Sequence, residues 1–113
     1  MPQILSFGYP KPAIELLEDG HPPAVTFEQA DGSCLMLPYA GSLLMRYSPD
    51  GVKMQFDTAL VAISGRNLVP VWFALRLRQA RLLRATPDIG RWARDEDAPH
   101  IGSITVTPSP LRI

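Results

Sequence analysis

The sequence predicts an α+β fold: an antiparallel β-meander of about five strands, partly rolled, packed by one long helix over residues 67–86. Three observations predict it. Apolar and polar residues alternate in short runs between residues 24 and 57, the period of strands with one face buried and one wet. Turn-forming groups, Asp31-Gly32 and Ser48-Pro49-Asp50-Gly51, punctuate those runs. The stretch Gly65 to Thr86 then repeats apolar residues at helical spacing and carries five arginines and no acid.

Composition fits this reading. A chain of 113 residues suits one domain, and it can bury roughly two-thirds of its unfolded surface. With 46% hydrophobic and 19% charged residues it is globular rather than disordered. No apolar run approaches the ~20 residues that span a bilayer. The N-terminal residues lack the pattern of a signal peptide, so no membrane partner and a cytoplasmic place are expected. Net charge is zero but divided. Residues 1–57 hold seven acids against three bases, and residues 58–113 hold four acids against eight arginines. The lone Cys34 excludes an internal disulfide and a CxxC metal site, and its apolar neighbours predict a buried, inert thiol.

Prolines divide the single domain into three. They gather in an N-terminal arm, 1–23, and a C-terminal arm, 87–113, and are sparse in the core, 24–86. In the first arm, Ala13 to Glu18 fits either a helical turn or a strand. The first core strand is Val25 to Gln29; Asp31-Gly32, both tolerant of positive φ, turns it back into Cys34 to Leu37, which Pro38 ends. Leu43 to Tyr47 is the third strand. Ser48 to Gly51 predicts a type I turn closed by a left-handed glycine. Val52, Met54 and Phe56 then face the core while Lys53, Gln55 and Asp57 face water. Ala59 to Ser64 is apolar enough for a central strand covered on both faces. Met36, Met45 and Met54 fall on three successive strands and read as core gap-fillers, with a shared soft patch as the other reading. In the C-terminal arm, a helical turn is expected around Trp92, a last strand at Ile104 to Thr107, and fraying at 108–113.

For the helix, Asn67 is the expected N-cap and Pro70 is tolerated in the first turn. Pro87 stops it. Leu68, Val71, Trp72, Leu75, Gln79, Leu82 and Leu83 share one face of the wheel, which the sheet takes. A second apolar stripe, Val69, Phe73, Leu77 and Ala80, lies between Arg76 and Arg84 and needs cover from an arm of this chain or from another subunit. Arg78, Arg81 and Ala85 form a ridge. In order of elements, a rolled meander closed by a helix resembles pleckstrin-homology-like domains in outline, and no motif carries the resemblance further.

Motifs for chemistry are missing. The chain has no GxSxG, SxxK, GxGxxG or P-loop pattern. His21 and His100 fall in predicted loops without a ligand at metal spacing, and Asp95, Glu96 and Asp97 read as a solvated acidic loop. No catalytic residue, metal or cofactor is expected. The junction Ser64 to Asn67 brings an arginine to a predicted helix N-terminus, which can bind an anion. Arg66, Arg78, Arg81 and Arg84 are the candidate contacts to an anion or nucleic acid. The favoured expectation is a small non-enzymatic intracellular binding or assembly module, self-associating or binding a protein through Val69, Phe73, Leu77 and Ala80. A nucleic-acid-binding accessory role for the arginines is the alternative.

Overall fold

A computed structural model of the chain describes residues 12–17, 19–86 and 98–108. The expected turn at Trp92, the acidic run Asp95 to Asp97 and most of both arms lie outside these residues. Among the described residues eight strands and one α-helix follow in order: β1 (Ile14–Leu16), β2 (Ala24–Glu28), β3 (Cys34–Pro38), β4 (Ser42–Ser48), β5 (Gly51–Phe56), β6 (Ala59–Arg66), α1 (Val69–Arg76), β7 (Ala80–Arg84) and β8 (His100–Pro108). The protein is α+β and mostly β. Its strands form two four-stranded sheets, one mixed in the order β1-β7-β2-β3 and one antiparallel in the order β4-β5-β6-β8. Neither closes into a barrel, and two strands follow the helix, so the helix does not close the meander in the order expected.

The expected strands are present, but they do not make one meander. β2 and β3 form a hairpin in the mixed sheet, and β4, β5 and β6 form a meander in the other. A single 3-10 turn, Tyr39–Gly41, carries the chain between sheets. Tyr39 is the reason the chain turns there. Its amide donates to the Pro23 carbonyl at 2.9 Å, and its buried hydroxyl donates to the Ala80 carbonyl at 2.7 Å. The hairpin at Asp31-Gly32 is as expected, with Gly32 alone in the left-handed region (φ 92°). Asp31 caps it, accepting the amide of Ser33 at 2.9 Å and its hydroxyl at 2.7 Å. Those two bonds hold the Asp31 carboxyl below its usual pKa.

The second turn differs from expectation. Gly51 is not among the residues with positive φ; it pairs with Ser64 on β6, and a Cβ there would stand 2.5 Å from the Ile63 carbonyl oxygen. Close approach of β6, not a left-handed turn, requires the glycine. The β5 alternation holds: Val52, Met54 and Phe56 are buried, and Lys53 and Asp57 are exposed. β6 is central, yet only one of its faces is sealed. Val61 and Ile63 are buried while Leu60 and Ala62 are half-buried on the other side. β8 extends the predicted last strand and adds it to the β6 edge.

The inner faces of the two sheets share one core. Val25, Phe27, Leu37 and Leu83 come from the mixed sheet, and Val52, Met54, Phe56, Val61, Ile63, Ile101 and Ile104 from the other. Phe27 and Phe56 meet edge to face across it, centroids 6.3 Å apart. The preceding residue Leu68 and Val71, Ala74 and Leu75 of α1 complete it. Each large side chain so buried contributes about 1.5–3 kcal/mol.

The largest departure is the helix. It spans eight residues and ends at Arg76. Leu68 is its N-cap; Asn67 sits one residue earlier in the left-handed region (φ 54°), its side-chain amide donating to the Ala98 carbonyl at 3.3 Å. At the other end the Arg78 amide donates to Leu75 at 3.0 Å and the Gln79 amide to Ala74 at 2.8 Å. With Arg78 at φ 58°, this is a Schellman motif. The chain then reverses into β7, which runs between β1 and β2, antiparallel to one and parallel to the other. Helical periodicity beyond 76 therefore describes a strand. Leu83 still reaches the core, and Trp72 and Leu82 are half-buried, but from two different elements.

The methionines do not share a patch. Met54 is buried, Met45 packs against the core, and Met36 is 65% exposed on the other sheet. Cys34 is exposed at the end of the β2–β3 hairpin, contrary to the buried thiol expected, because among the described residues β3 is an edge strand.

Candidate interaction surface

Three of the four residues of the second apolar stripe remain together. Val69, Phe73 and Leu77 recur every fourth position on α1 and its C-cap, and they are 45%, 46% and 50% exposed. Ala80 leaves the stripe: it lies fully buried in β7 and is covered by this chain itself. The short helix explains the split, since the chain reverses at Arg78 before Ala80 is reached.

The sequence did not reveal what stands beside the stripe. An open groove of about 270 Å³ runs between α1 and β1. Ile14 and Leu16 form one wall, and Pro70, Phe73, Ala74 and Leu77 the other, with Gln79 at the turn. Leu16 is 52% exposed, so the groove continues the apolar surface of the stripe. Arg76 rims it, the guanidinium carbon lying 5.4 Å from the centroid of the Phe73 ring, a cation–π contact. Among the described residues β1 is an edge strand. Only an arm with two readings marked this wall in the sequence, because β1 is three residues long and pairs with a strand 64 or more positions away.

The arginines do not form one ridge. Arg66 closes β6, Arg78 sits in the Schellman turn, and Arg81 and Arg84 belong to β7. Arg66 and Arg78 are exposed. The β1–β7 register slips between Glu15 and Leu16, leaving Arg81 as the extra residue of a bulge. From there it reaches Glu15 Oε1 at 2.6 Å with its side chain 55% exposed. Arg84 is buried. Its Nε donates to Glu28 Oε2 at 3.1 Å, its Nη2 to Glu15 Oε2 at 2.9 Å, and its Nη1 to the Pro12 carbonyl at 2.7 Å. Burial disfavours its charge, but the bonds and charges of Glu28 and then Glu15 outweigh that and raise its pKa. Two of the four candidate phosphate contacts are thus spent on carboxylates of the same sheet.

The predicted anion junction is also altered. Gly65 and Arg66 pair with Ile101 and His100 in the β6–β8 ladder, so the junction is strand rather than a loop of free amides. His21 and His100 meet different backbone carbonyls: His21 Nδ1 lies 3.3 Å from the Arg78 carbonyl, and His100 Nε2 contacts the Thr86 carbonyl. Among the described residues no three His, Cys, Asp or Glu side chains are grouped to hold a metal ion, and no helix is long and apolar enough to cross a membrane. No family model matches the chain, and neither the curated proteins nor the solved structures include a significant match.

Proposed function

We propose that this protein is a small non-enzymatic binding or assembly module that self-associates through α1. The observation that carries the reading is the continuous apolar surface of Val69, Phe73 and Leu77 beside the groove walled by Leu16. Half-exposed large side chains grouped on one side of a small domain are a feature of interaction surfaces rather than of scattered exposure. The neutral net charge favours association with a like molecule more than with a polyanion. The pairing of Arg81 and Arg84 with Glu15 and Glu28 weakens the nucleic-acid reading. The surface is narrow, so the contact is of the transient class, with a dissociation constant on the order of tens to hundreds of micromolar.

Sedimentation equilibrium tests this. The protein should show a reversible monomer–dimer equilibrium as concentration rises to the millimolar range. Phe73→Asp should abolish it while leaving the circular dichroism and melting cooperativity of the monomer intact, since Phe73 is 46% exposed. A clean monomer throughout that range defeats the reading.

A further inference from the structure

Strand β1 is attached to the fold in an unusual way. It has three residues, it lies at a sheet edge among the described residues, and the bulge at Arg81 interrupts its ladder with β7. Strands this short hold poorly by main-chain bonds alone. The Arg84 amide donates to the Ala13 carbonyl at 2.8 Å and the Leu17 amide to the Gln79 carbonyl at 3.1 Å, one bond at each end. Against that light ladder stands a heavy side-chain attachment. The Arg84 guanidinium binds β2 through Glu28 and β1 through both Glu15 and the carbonyl of Pro12, so one buried fork spans three strands. Every nitrogen of the fork has an acceptor, the arrangement in which a buried arginine binds tightly.

We infer that β1 is a detachable strap, and that Arg84, as a positioning residue, is the clasp that keeps it docked. The consequence reaches the surface described above, because Ile14 and Leu16 are one wall of the groove. With the clasp closed β1 walls one side of the groove beside α1. With it open, β1 swings away, that wall is lost from the apolar face of α1, and β7 presents an unpaired edge. The strap is a property of the monomer and stands whether or not the protein self-associates.

Amide hydrogen exchange followed by NMR, at a concentration where the protein is monomeric, tests the clasp. In Arg84→Met, exchange should accelerate tenfold or more at Leu17 and at the amide of position 84. Amides in β6 should stay at least tenfold better protected than Leu17, in the wild type and in the variant. If Leu17 and the amides of β6 are equally protected in the wild type, β1 is part of the global unit and the strap is refuted; if Leu17 does not accelerate in Arg84→Met, Arg84 is not the clasp. Should Arg84→Met fail to fold, Glu15→Gln decides, because it loosens the same fork from a carboxylate that is 27% exposed. It should accelerate Leu17 several-fold and leave β6 better protected than Leu17, and equal rates at Leu17 in Glu15→Gln and wild type overturn the inference. Arg84→Lys, which keeps the charge but not the fork, should fall between wild type and Arg84→Met.

Discussion

Replacing Arg78 with glycine should stabilise the protein. Arg78 occupies the C′ position of α1 at φ 58°, with its amide bonded to Leu75 and the next amide to Ala74. A residue with a Cβ pays about 1–2 kcal/mol for the left-handed region, whereas glycine adopts it freely. Glycine also loses more backbone freedom on folding, by roughly 0.5–1 kcal/mol. The Arg78 side chain is exposed, so little is lost with it. The net gain is about 0.5–1 kcal/mol, which for a domain of this size is a rise of roughly 2–4 °C in melting temperature. Urea denaturation and calorimetry of Arg78→Gly beside Arg76→Gly are the assay. Arg76 is inside the helix, where glycine costs about 1 kcal/mol, so the two variants should move in opposite directions. If both lose stability equally, position 78 is helical and the break between α1 and β7 is wrong.

Tyr39 and Gly51 supply two further predictions. Burial pushes the Tyr39 hydroxyl up from 10.0 to about 12, the charge of Arg78 only partly opposing that. Below pH ~10 the phenol is protonated folded and unfolded; as pH rises further the unfolded chain ionises first, so stability falls until the folded group ionises near 12. Tyr39→Phe should lack this alkaline loss, and at neutral pH it should cost about 1–2 kcal/mol because a buried carbonyl loses its donor; denaturation at pH 7 and at high pH measures both. Gly51→Ala should cost about 1–3 kcal/mol by thermal melting, since its Cβ meets backbone rather than a movable side chain.

Local patterns were legible and distant partners were not. Val52 to Asp57 shows its period in six adjacent residues, and Asp31-Gly32 carries its turn in two, so both are readable from the sequence. The run from Leu68 to Leu83 misleads because the apolar positions of a short helix and of a following strand happen to keep helical spacing. No glycine marks the Schellman turn, and Arg78 fills it instead. Placing β7 between β1 and β2 depends on pairings 56 or more residues apart, which no window of sequence contains. The candidate surface was half legible for the same reason. Phe73 and Leu77 advertise themselves on one helix, while Ile14 and Leu16 join them only through the fold. Arg84 looked like a surface cation until Glu15 and Glu28 were brought to it.

Mapping the contact residue by residue tests the central claim, that α1 and its groove are where two copies meet. Amide and methyl spectra recorded across a dilution series from millimolar to micromolar protein should shift at residues 69–77 and 14–17 and stay fixed across β4, β5, β6 and β8. Shifts confined to the outer face of the antiparallel sheet, or spectra that do not change with concentration, would contradict the account.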